Sequence, residues 1–189
     1  MLFVDRNGAQ LIALPGAVAA RMRTLARKAY PNETGGILVG RYDDAHQVAL
    51  VHCASDAPRD SVASPTTFRR GVRGLDALLK RAWRRGLYYL GEWHFHPERF
   101  PSASPPDDTQ MQAFAEAPQL RCPEPILLIV GLPEYGNLAA YRYARNLARL
   151  RLAPPWLEAA APPRTDDPDG AAKATLHVLR SPLKPGRGM

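Results

Sequence analysis

Cysteine is scarce in this chain. Only Cys53 and Cys122 occur in 189 residues, far apart and outside any CxxC pair. That excludes a disulfide framework and a four-cysteine zinc knuckle, and leaves two buried thiols as the expectation. No apolar run approaches the roughly 18 residues that cross a bilayer. The opening Met1-Leu2-Phe3-Val4-Asp5-Arg6 has neither the basic nor the apolar region of a secretory signal. A soluble, cytoplasmic protein is expected. Lysine is rare as well, since 21 of the 25 basic residues are arginine. The 14 glycines and 19 prolines fall short of the roughly 25–30% that marks a low-complexity chain. No internal repeat occurs.

What is present is ordinary globular composition, 46% hydrophobic and 23% charged, at a length that supports one real core. The net charge of +7 suits nucleic acid, an acidic protein or an anionic membrane surface, but charge alone names none of them. Neither nucleic acid nor membrane is expected as the main partner.

Hydrophobic periodicity organises the chain. Residues 2–4 and 10–14 flank Asn7-Gly8 and predict a β-hairpin. Pro15 opens a helix to about residue 30, with Val18, Met22, Leu25 and Ala26 on one face, and Pro31 stops it. Residues 36–42 and 48–54 predict two strands, and 55–67 a Ser/Pro/Asp-rich loop. Residues 68–85 predict an amphipathic helix with Val72, Leu75, Leu78, Leu79 and Ala82 inward. Its other face carries Arg69, Arg70, Arg73, Lys80, Arg81, Arg84 and Arg85, a solvated surface. A strand over 87–95 leads into a proline-rich loop at 97–106 and a helix over 107–117. The continuous apolar run 126–130 predicts a strand buried on both faces, and 138–143 another. From residue 153 the composition shifts to Pro, Ala, Asp and Gly. The expectation is an α/β or α+β domain over 1–152, a mixed sheet covered by helices. An irregular tail follows over 153–189, with a short ordered piece around 175–180.

The informative segment is Gly91-Glu92-Trp93-His94-Phe95-His96-Pro97, followed by Ser104-Pro105-Pro106-Asp107. Residues two apart on a strand point the same way, so His94 and His96 can aim at one point. Pro97 ends the strand, and Asp107 can arrive from the start of the next helix. Two histidines and one carboxylate are a standard set for catalytic Zn²⁺. His-x-His alone is weak, because many histidines only satisfy hydrogen bonds. Asp108 competes with Asp107, and the Ser-x-x-Asp spacing favours Asp107. Ser104 before Pro105 also reads as a helix cap. Glu92 shares a face with His94 and either orients an imidazole or pairs with an arginine. His46 and His52 have no ligand spacing.

These residues resemble the JAMM signature of the JAB/MPN metalloprotease family: His94, His96, Ser104 and Asp107 at the family spacing. Glu33 stands before the glycine-rich Thr34-Gly35-Gly36-Ile37-Leu38-Val39-Gly40. The resemblance covers about residues 1–150 and is closest to compact prokaryotic JAB-domain members encoded with CBASS anti-phage or bacterial ubiquitin-like operons. It implies a cytidine-deaminase-like architecture and a zinc-dependent isopeptidase or peptidase. The bond cut would follow the C-terminus of a ubiquitin-like protein, in deconjugation or precursor processing. His94, His96 and Asp107 would hold Zn²⁺, Glu33 would be the general base and Ser104 would bond the developing oxyanion. The implied partners are a ubiquitin-like protein or its conjugate, and E1-like and E2-like enzymes of the same operon. Residues 55–67 and 97–106 are the candidate groove walls. Three other readings compete. A non-catalytic MPN-type scaffold would usually have lost ligands, and none is lost here. A nucleobase deaminase would need His-x-Glu and Pro-Cys-x-x-Cys, both missing. A nucleic-acid-binding protein rests on charge alone.

Overall fold

The structure, a computed structural model, describes residues 1–5, 11–45 and 47–154. Along the chain come β1 (Leu2–Val4), β2 (Leu11–Ala13), α1 (Gly16–Ala29), β3 (Thr34–Tyr42), β4 (Val48–Ala54), β5 (Val62–Ser64) and β6 (Thr67–Arg69). Then follow α2 (Leu75–Trp83), β7 (Tyr88–Phe95), α3 (Pro105–Glu116), β8 (Ile126–Val130), β9 (Leu138–Ala144) and β10 (Leu147–Leu152). Eight strands form one mixed sheet in the order β1-β2-β4-β3-β7-β8-β9-β10, and β5 and β6 form a separate hairpin. The expected mixed sheet with covering helices is present. Among the described residues, no helix is long and apolar enough to cross a membrane.

Alternation along the central strands gives the sheet two apolar faces. Trp93, Phe95, Ile126, Leu128 and Val130 face α1 and pack with its Val18, Ala19, Met22 and Ala26. On the other face Leu127, Ile129, Tyr141 and Tyr143 pack with Met111 and Ala115 of α3. Beside them Ile37 and Val39 meet Leu75, Leu78, Leu79 and Ala82 of α2. Strand β8 is therefore buried on both faces, as its unbroken apolar run predicts.

One irregularity sets the phase of β7. The β3–β7 ladder pairs Leu38 with Gly91 but Val39 with Tyr89, a slip of one residue. Gly91 sits at φ +141°, and a Cβ there would lie 1.9 Å from the Ile126 carbonyl oxygen. Only glycine fits this bulge. From it onward Trp93 and Phe95 turn to the α1 face, which leaves Glu92 and His94 on the face of α2 and α3.

The structure departs from the sequence expectation in three places. Residues 55–67 are not all loop: the β5–β6 hairpin spans Val62–Arg69. The second helix begins at Leu75 rather than residue 68. Asp60 captures the backbone N–H groups of Val72 and Arg73 at 3.0 and 2.9 Å, and local side-chain capture of the backbone competes with helix. Val72 is consequently exposed, not part of an apolar stripe. Strand β10 was not anticipated, and Ala153 beyond it bridges Val4 with two 2.8 Å backbone bonds. Cys122 is buried, whereas Cys53 is only half-buried. The Asn7-Gly8 turn, His46 and residues 155–189, including the piece around 175–180, lie outside the described residues.

Candidate metal centre

The site lies where β7 ends beside the start of β3. The register sets Thr34 against Phe95 and Gly35 against His94, so Glu33, one residue earlier, arrives next to His96. A Cβ on Gly35 would stand 2.4 Å from the Trp93 carbonyl oxygen and 2.8 Å from the His94 ring. Position 35 must therefore stay bare for His94 to sit where it does.

Asp107 reaches the same point from the first turn of α3. Ser104 caps that helix reciprocally: its Oγ accepts from the Asp107 N–H, and the Asp107 side chain accepts from the Ser104 N–H. Asp107 Oδ2 receives the Ser104 N–H at 2.8 Å and the Ser104 hydroxyl at 2.7 Å. Asp108, the competing carboxylate, points elsewhere and accepts from the Tyr143 hydroxyl at 2.6 Å and from Arg149. The Ser-x-x-Asp spacing thus selected the carboxylate that meets the histidines.

His94 Nδ1 lies 2.7 Å from Asp107 Oδ1, and His96 Nε2 lies 3.5 Å from Asp107 Oδ2. His96 Nδ1 is 3.0 Å from the Ser102 carbonyl oxygen, an acceptor only. That nitrogen therefore carries the proton, and the Nε2 lone pair is free to bind. Donor atoms of His94, His96 and Asp107 all fall within 4.8 Å of one another, and all three residues are buried. His94 Nε2 is buried without a hydrogen-bond partner among the described residues, a state that costs roughly 1–3 kcal/mol. Two imidazoles and one carboxylate with donor atoms this close together fit a divalent metal ion.

Electrostatics point the same way. Burial pushes the His96 pKa below its ordinary value, against the pull of Asp107, so the ring is neutral near pH 7. Burial alone would raise Asp107, but hydrogen bonds and charge from His94 and the bonds from Ser104 outweigh it and hold the carboxyl at about 2. Glu33 moves the other way. Burial first, then the nearby Asp107 charge, raise it to about 7, with His94 opposing and Glu98 adding.

A cleft of about 440 Å³ opens over this cluster, lined by Glu33, His96, Ser104 and Asp107. One wall is the tip of the β5–β6 hairpin, Pro65 to Phe68, and the other is the loop through Pro97, Glu98 and Ser102. Both expected wall segments contribute. All five expected site residues come together: Glu33, His96, Ser104 and Asp107 line the cleft, and His94 meets Asp107. Two neighbours were missed by reading the sequence. The Phe68 ring meets the His94 ring edge-on at 5.6 Å. Arg70, assigned to a solvated helix face, pairs with Glu92 at 2.7 Å. Glu92 is thus an arginine partner. Neither contact has a local sequence signal.

A family described as prokaryotic homologs of the JAB domain matches residues 15–144. The chain belongs to this family. An Enterobacter hormaechei protein named CD-NTase/cGAS isopeptidase is 40% identical over 152 residues, covering 79% of this chain and 84% of its own. A probable metalloprotease of Sinorhizobium fredii is 28% identical over 149 residues, covering 76% of this chain and 88% of its own. The solution structure of a Desulfitobacterium hafniense protein matches with a TM-score of 0.56 at 24% identity, over 74% of this chain and 88% of that one, a likeness of fold. This JAB-domain chain is a hydrolase, and its His94, His96 and Asp107 group suits a metal ion.

Proposed function

We propose that this JAB-domain hydrolase is a zinc isopeptidase or peptidase that cuts the bond after the C-terminus of a ubiquitin-like protein, in a bacterial anti-phage or ubiquitin-like conjugation system. The observation that carries this reading is the convergence of His94, His96 and Asp107 beneath a cleft that also holds Glu33. The name of the Enterobacter relative, CD-NTase/cGAS isopeptidase, supports the isopeptide class. The proposed partners, a ubiquitin-like protein or its conjugate with E1-like and E2-like enzymes upstream, follow from the resemblance to JAB/MPN isopeptidases.

His94, His96 and Asp107 would hold the zinc. The ion would supply Lewis acidity to the scissile carbonyl and lower the pKa of the attacking water. Glu33 takes that water's proton as the oxygen bonds to the carbonyl carbon. It then passes the proton to the amine that leaves when the C–N bond breaks. Ser104 donates to the oxygen that gains charge. Its hydroxyl rests on Asp107 Oδ2, and the Ser104 N–H also holds that oxygen, so the hydroxyl can turn without releasing the carboxylate.

Metal content by mass spectrometry is the deciding measurement, on the full chain and on His94→Ala/His96→Ala, purified without added zinc. About one zinc per chain, lost in the variant, is expected. Cleavage of an isopeptide-linked ubiquitin-like conjugate should then occur, with Glu33→Gln inactive. A folded protein that takes up no zinc would sink the reading.

A further inference from the structure

The cleft wall formed by β5 and β6 has little to hold it. Among the described residues its two strands form a ladder only with each other, and residues 62, 63 and 65–67 are exposed. A two-stranded hairpin alone is marginal in water. Its base is clipped where Ser61 accepts the Gly71 N–H at 2.9 Å and Asp60 holds Val72 and Arg73. Its first strand accepts the Glu33 N–H at Ser64. Its second strand is fixed from below, by Phe68 against His94 and by Arg70 just beyond.

Arg70 Nε donates to Glu92 Oε2 at 2.7 Å, and Tyr89 donates its hydroxyl to Oε1 at 2.8 Å. Both oxygens of a wholly buried carboxylate are thereby held, and the Arg70 side chain is only 12% exposed. Glu92 stands two residues before His94 on the rigid central strand β7, on the same face. The ion pair therefore joins the far end of the hairpin to the strand that carries the histidines. Such a pair is weak support for overall stability, because neutral residues often do as well, but it fixes geometry.

We propose that Glu92 is a positioning residue of the cleft. Through Arg70 it holds β6 in place, which keeps Phe68 against His94 and makes the hairpin wall and the metal centre one mechanical unit. This rests on the reading of the cleft as the substrate groove. Loss of the pair frees the wall while the sheet stays intact.

The test uses the full chain without metal, by hydrogen exchange and by NMR of the histidine rings. The double replacement Arg70→Met with Glu92→Gln leaves no lone buried charge. Amides of residues 62–69 should then exchange at least about tenfold faster, with β8 amides unchanged. The His94 ring resonances should move as the Phe68 ring leaves, and Phe68→Leu should move the same resonances. If β8 amides accelerate in step, the single replacement Arg70→Gln, which leaves Tyr89 on Glu92, carries the same test. Hairpin amides that keep their original rate, or His94 resonances that stay put, overturn the proposal. Neither readout needs zinc or substrate, so its failure and that of the peptidase reading are separable.

Discussion

Glu33 and Asp107 share a cleft and titrate in opposite directions, which gives the site a readable pH signature. Glu33 has a folded pKa near 7 against an ordinary 4.5, so folding favours its protonated form. Its ionisation destabilises the metal-free protein progressively as pH rises from about 4.5 to 7. Glu33→Gln should therefore raise the Tm of the metal-free protein at pH 8 and leave it nearly unchanged at pH 4. Asp107 is held at about 2 against 3.8. Its contribution is full above the ordinary value and is lost as pH falls toward 2, so Asp107→Asn should cost stability at pH 6 and little at pH 2. A cation beside Glu33 draws its proton off. Zinc uptake at pH 6.5 should thus release protons in calorimetry across buffers of different ionisation enthalpy, and release fewer in Glu33→Gln.

At the scale of elements, single positions fix how strands and helices present the site. Gly91→Ala would drive a Cβ to 1.9 Å from the Ile126 carbonyl. A loss of about 2–4 kcal/mol in denaturant unfolding is expected. Ser104→Ala removes a helix cap, worth about 1 kcal/mol, and one bond to Asp107. Ser104→Asn should restore most of the stability but not the cleavage activity, which separates the capping role from the chemical one. These elements were unequally legible in the sequence. The grouping of His94, His96 and Asp107 is legible because strand alternation aims the two histidines alike and a helix cap places Asp107, and the JAMM resemblance joins them into one set. The helix over 68–85 was overdrawn because Val72 continues the period of Leu75 and Leu79. The Asp60 carboxylate that holds Val72 and Arg73 out of it lies a dozen residues away. Strand β10 has a weak sequence signal: Leu150 and Leu152 alternate with Arg149 and Arg151, but the run is short and borders the Pro/Ala-rich change of composition at residue 153. Arg70 was misplaced for the same reason as the helix: its partner Glu92 is fixed by tertiary packing and not by spacing.

Across the whole molecule, the face that holds the His94, His96 and Asp107 group is carried by a sheet whose two outer strands come from opposite ends of the described sequence. Phe3 and Leu152 lie in the same core cluster as α1. A chain cut after residue 145, lacking β10, should lose cooperative unfolding. The Val4–Ala153 bridge has a further consequence. Because Val4 of β1 meets Ala153 just past β10, the order in which the described strands are synthesised is not dictated by their arrangement. Joining Ala153 to Leu2 through a linker of about four residues and opening the chain between the exposed Asp44 and Ala45 would give a circular permutant. In it Glu33, at present the first of the five site residues to leave the ribosome, would be the last.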